Sequence, residues 1–168
     1  MNLTSVLKFS FEITPGPLAP DDVCFCQGHI FISNGTTTIS SEANGTMMLV
    51  ASIPDLLNGV RIFLTDTSTS YQFHAIDSAF VMKFLKGRNG LISIKIHHGE
   101  INNISQLDLL TSLWTAVAQF LEHPDISDYM RRHDMDRIDV DDPSITTSEG
   151  FFYDLTNAIA SFRMAFIN

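Results

Sequence analysis

The chain of 168 residues is 45% apolar and carries 19 acids against 10 bases, a formal charge of −9. That length and apolar content allow a buried core without disulfides or a structural metal, and one α+β domain over residues 1–168 is the simplest organisation. The acidic balance argues against direct nucleic-acid binding, which needs a positive surface to neutralise phosphates, and favours a basic partner.

Near the N-terminus Leu7, Phe9, Phe11 and Ile13 alternate with Lys8, Ser10 and Glu12, the period of two that predicts a half-buried strand. The same polar residues interrupt any secretory leader, so the expected location is the cytoplasm. Pro15, Gly16, Pro17 and Pro20 then make a turn-rich connection. A strand is expected over Cys24 to Ser33, with Cys24 and Cys26 on one face as small apolar residues. Asn34-Gly35 predicts a tight hairpin into Thr36 to Ser41, a return strand whose threonine and serine content marks it as a sheet edge. The apolar run Met47 to Ala51 fits strand or helix equally. Ser52 reads as an N-cap, with Pro54 in the first turn of a helix carrying Leu56, Leu57, Val60, Phe63 and Leu64. Gly59 within it costs about 1 kcal/mol relative to alanine.

Three short strands follow, at Tyr71 to Ala75, Ala79 to Leu85 and Leu91 to His97, joined by turns too short for parallel crossovers and so forming an antiparallel meander. Ser105 with Asp108 three residues on predicts a capped helix whose apolar face holds Leu110, Leu113, Trp114, Val117, Phe120 and Leu121. His123-Pro124 ends it. The densest charge comes next: Glu122, Asp125, Asp128, Asp134, Asp136, Asp139, Asp141 and Asp142 against Arg131, Arg132 and Arg137. A last helix runs from about Thr147 to Met164, opened by Thr146 and Glu149, with Phe151, Phe152, Leu155, Ala158, Ile159 and Phe162 on one face. The fold class expected from this order is α+β: an antiparallel sheet made of a hairpin and a three-strand meander, with amphipathic helices on one face.

No string of residues carries a recognisable catalytic grammar. In His97-His98-Gly99-Glu100 adjacent side chains of a strand diverge, so the two imidazoles do not converge on one ion. Counting an EF-hand from Asp134 puts Asp139 where glycine belongs and Ile145 where the closing glutamate belongs. Cys24 and Cys26 have no companion ligands at zinc spacing, no nucleophile elbow occurs, and Gly87-Arg88-Asn89-Gly90 lacks the lysine of a phosphate loop. No cofactor, metal or catalytic residue is therefore expected.

The order strand, hairpin, short helix, meander and capped helix, with Ala79-Phe80-Val81-Met82-Lys83-Phe84 before a glycine turn and then Leu91-Ile92-Ser93-Ile94, resembles that of small bacterial immunity proteins over about residues 1–122. The resemblance implies a non-catalytic module that binds and occludes a basic toxin domain through an acidic face. On that reading Glu122, Asp125, Asp128, Asp134, Asp136, Asp139, Asp141 and Asp142 are the partner-binding residues. Two other readings stand beside it. One is a small enzyme or ligand carrier whose site joins His74, His97 or His98 to Asp77 or Glu100. The other is a subunit of a homo-oligomer that meets its copies through Thr36 to Ser41 or through the final helix.

Overall fold

The computed structural model describes residues 6–16, 19, 22–133 and 147–167. The first alternating run forms strand β1 (Lys8–Ile13), which pairs antiparallel with β2 (Gln27–Ser33) along its whole length. β2 is bounded on its other side by β3 (Thr38–Ser40) at one end and β4 (Met47–Met48) at the other, completing a four-stranded sheet. The β2–β3 turn uses Gly35 at φ 86°, and the Asn34 side-chain oxygen accepts from the backbone N–H groups of Thr36 and Thr37 at 3.1 and 2.8 Å. Asparagine thus closes the turn through its side chain.

Helix α1 (Leu49–Thr65) starts directly from β4. The ambiguous run Met47 to Ala51 is therefore both things, two residues of strand and then helix. Ser52 is not the N-cap. It lies a turn inside, fully buried, and its hydroxyl accepts from the Ile76 N–H at 2.9 Å. The helix start is capped from elsewhere: the Leu49 N–H donates to the Cys26 carbonyl at 3.1 Å. Cys24 sits in a 3-10 turn (Val23–Phe25) preceding β2, so the two cysteines do not share a strand face as expected; both are buried and reduced. Burial pushes the Cys26 thiol up to about 12, outweighing a backbone hydrogen bond with Val50 that pulls it down.

The second sheet is a meander of four strands: β5 (Ser70–His74), β6 (Val81–Lys86), β7 (Ile92–Ile96) and β8 (Gly99–Ile104). The fourth was not expected. Between the pairs Ile92–Ile104 and Ile94–Ile101 the register slips by one residue, a bulge in which Asn103 takes φ 61°. Helix α2 (Gln106–Leu121) begins at the predicted cap, where the Ser105 hydroxyl accepts from the Asp108 N–H at 3.0 Å. An unpredicted helix, α3 (Pro124–His133), follows, and α4 (Thr147–Phe166) closes the described chain. The class is α+β, with two sheets in place of the single one expected.

One cluster of buried side chains joins these elements. It combines Phe9, Ile30 and Ile32 of the first sheet with Phe73, Met82, Phe84, Ile94 and Ile101 of the second, and with Leu56, Leu57, Val60 and Phe63 of α1. The sheets meet where the Ile39 side chain lies against Gly99; any Cβ there would collide with it. β3 is an edge of the first sheet, as expected, and packs against β8; among the described residues β1 has a strand partner only in β2, and α2 lies against its other side. No helix of the described residues is long and apolar enough to cross a membrane.

Candidate functional site

A concavity with a polar lining lies between α1 and α4. Both helices start beside the 3-10 turn: Leu49 through its bond to Cys26, and α4 through Phe151, whose ring meets that of Phe25 edge-on at 6.3 Å. They run side by side in the same sense and pack closely. Each carries the sequence Asp-Leu-x-Asn: Asp55-Leu56-Leu57-Asn58 on α1 and Asp154-Leu155-Thr156-Asn157 on α4. On a helix, positions three apart share a face. The leucines Leu56 and Leu155 go fully into the core, which turns both aspartates and both asparagines toward the cleft.

The cleft has a volume of about 460 Å³; Asp55, Asn58, Asp154, Asn157 and Ser161 supply its polar groups, and Ala51, Pro54, Ile76, Phe151 and Ala158 the rest. Desolvation, and then the nearby charge of Asp154, hold the Asp55 carboxyl above the usual carboxylate range. Neither aspartate has an ion-pair partner among the described residues. Behind Asp55, the Tyr71 hydroxyl donates to the Asp55 carbonyl at 2.9 Å, and the tyrosine ring lies over Gly59 and stacks on Phe84 at 5.5 Å. Burial, with the charge of Asp55 added, lifts the Tyr71 phenol above its ordinary range. The backbone at Asp55 is therefore held by a half-buried tyrosine stacked on the buried Phe84. Unpaired like charges on a rigid wall favour any cation that enters.

The residues singled out from sequence fall elsewhere. Glu122 is the exposed residue that ends α2. Asp125 lies 3.9 Å from the His123 imidazole. Asp128 is engaged by two guanidinium groups, Arg131 and, at 3.1 Å, Arg132, which hold its carboxyl below the usual range. Asp134, Asp136, Asp139, Asp141 and Asp142 lie outside the described residues. Of the histidine reading, His97 and His98 occupy the exposed β7–β8 turn with ring centroids 4.3 Å apart. Glu100 pairs with Lys95 at 4.0 Å, and the His74 imidazole hydrogen-bonds Gln72 at 2.9 Å. The structure does not bring these groups into one pocket; His97 lines a groove with Lys83 and Lys95. No cluster of three or more histidine, cysteine, aspartate or glutamate side chains suited to a metal occurs among the described residues.

The sequence reading missed the cleft although its signal was present, since the Asp-Leu-x-Asn string occurs twice on amphipathic segments. What sequence did not give was that the two strings face each other. Compared with family models, curated proteins and solved structures, the chain matches none.

Proposed function

We propose that this protein is a binding module for a basic protein, and that the α1–α4 cleft receives a lysine or arginine side chain of that partner. The observation that carries the reading is the pair of carboxylates, Asp55 and Asp154, that line one concave site with no ion-pair partner among the described residues. A long basic side chain matches the cleft in both its parts. Its methylene stem suits the apolar wall of Pro54, Ile76 and Phe151, while its charged head suits the carboxylates and the asparagine side-chain carbonyls. The net charge of −9 adds long-range attraction, which speeds encounter and rejects acidic competitors. An immunity protein that occludes a basic toxin is one such module, and the acidic residues from Glu122 to Asp142 are then a second contact.

Titrating isotope-labelled protein with a short arginine-rich peptide tests the cleft. The side-chain amides of Asn58 and Asn157 are expected to shift on binding, and the double variant Asp55→Asn, Asp154→Asn to lose about tenfold or more in affinity. Shifts confined to α3, or equal affinity in the double variant, would refute the assignment. The toxin reading is checked separately, by whether an adjacent gene encodes a basic toxin-like protein that this one binds and neutralises.

A further inference from the structure

The outer face of the second sheet sets two lysines side by side. Along β5, β6 and β7 exposed side chains alternate with more buried ones, so Gln72, Lys83 and Lys95 project together on the exposed side. The register places Gln72 opposite Lys83, Lys83 opposite Lys95, and Lys95 opposite Glu100. Like charges directly opposite on neighbouring strands destabilise a sheet. Glu100, at 4.0 Å, relieves only Lys95, and Lys83 has no ion-pair partner among the described residues. No acid occurs in sequence between Asp77 and Glu100, although the chain as a whole carries a charge of −9. A groove of about 470 Å³ lies over these side chains and shares no residue with the α1–α4 cleft. Lys83, Lys95, Gln72 and His97 give it donors, Ala79 and Val81 give it an apolar flank, and its lining contains no acid. One rim is the 3-10 turn Glu42–Asn44, tied to the second sheet by the Ser78 hydroxyl, which donates to the Asn44 carbonyl at 3.4 Å. The Gln72 amide is held over the face by a 2.9 Å hydrogen bond to the His74 imidazole.

We infer that this groove binds the phosphate group of a small phosphate monoester. Such a group carries close to two negative charges and three acceptor oxygens. It therefore matches two ammonium groups on adjacent strands and leaves an oxygen for the Gln72 amide. A carboxylate brings one charge only. The ester takes the place of Glu100 at Lys95, an exposed pair at 4.0 Å that yields readily. Its organic body lies along Ala79 and Val81. Nucleic acid suits the face less well: single strands stack their bases on aromatic rings of a sheet surface, and no Phe, Tyr or Trp lines this groove. The acidic remainder of the molecule also repels a long polyanion, whereas a small ester fits within the positive patch.

Titrating isotope-labelled full-length protein with phenyl phosphate tests this. The Gln72 side-chain amide is expected to shift, with a Kd of about 1 mM or below. Lys83→Gln and Lys95→Gln together are expected to weaken binding about tenfold. Arg163→Gln, which removes a positive charge from α4 outside the groove, leaves it unchanged. Glu100→Gln frees Lys95 and is expected to tighten binding about twofold. Benzoate, with the same ring and a single charge, is expected to bind about fivefold more weakly. The substituted side chains are exposed, and thermal melts verify the fold of each variant. Affinity indifferent to the lysine pair, or lowered by Glu100→Gln, would overturn the inference. So would benzoate or inorganic phosphate binding as tightly as phenyl phosphate, or a short oligothymidylate binding the groove more tightly than either.

Discussion

Gly59 shows how a single residue on a helix can have the opposite effect from its propensity. In an isolated helix, alanine there is worth about 1 kcal/mol over glycine. In the folded protein a Cβ at this position would overlap the Tyr71 ring, whose hydroxyl bonds to the Asp55 carbonyl and whose face stacks on Phe84. The ring is held on two sides and has little room to yield, so overpacking at about 1–3 kcal/mol outweighs the propensity gain. Gly59→Ala is expected to lower unfolding free energy by about 1 kcal/mol in urea titrations. In a Tyr71→Ala background the obstacle is gone, and the same substitution should raise stability by up to about 1 kcal/mol. A stabilising Gly59→Ala in the otherwise wild-type protein would mean that the ring moves freely and does not anchor the backbone beneath the cleft.

Among the elements, those with a strong local signal were legible. β1 alternates without a fault, and α2 opens on Ser105, whose hydroxyl accepts the Asp108 N–H and also donates to the Asp108 carboxylate at 2.6 Å. Ser105→Ala removes both bonds at the mouth of a helix that packs on β1, and is expected to cost about 1 kcal/mol in a urea melt. A cost near zero would show that tertiary packing alone fixes the helix start. The α1 boundary was misread because its cap is the Cys26 carbonyl, brought from another element, which no local pattern announces. In α3 the apolar pair Ile126 and Tyr129 has helical spacing but is surrounded by charge, so the acidic run concealed a helix whose two buried residues dock it. β8 was missed because its strand pattern breaks at the bulge near Asn103 and its hairpin turn is made by two histidines. The cleft belongs with these cases, since each half is a local string and only packing makes it a site.

At the scale of the whole molecule the charge is sorted. Lys83, Lys86, Arg88 and Lys95 fall within the β6–β7 hairpin, where no acid occurs, so the remainder of the chain is more acidic than its net charge implies. Against that background Asp55 in the cleft works against the fold. A carboxyl whose folded pKa lies above its unfolded value binds protons more readily in the native state, so stability falls as pH rises through that window and the penalty is complete above it. For Asp55 the window runs upward from 3.8, with desolvation and Asp154 as its causes. Asp55→Asn is therefore expected to stabilise the protein at about pH 7 and to lose that advantage as pH falls through the window. Urea midpoints of wild type and variant across this range measure it. Asp128 sets the opposite sign: its carboxyl is held low by Arg131 and Arg132, so its contribution is present at neutral pH and is lost on acidification. Asp128→Asn should be less stable than wild type at about pH 7, the gap closing in acid. A fold that becomes firmer when Asp55 is neutralised, while the arginine-rich peptide binds less well, is what a site kept for a partner at some cost in stability would show. A gain from Asp55→Asn that is the same at every pH would instead mean that the aspartate carries no electrostatic penalty in the cleft, and with it the argument that the cleft awaits a cation would fail.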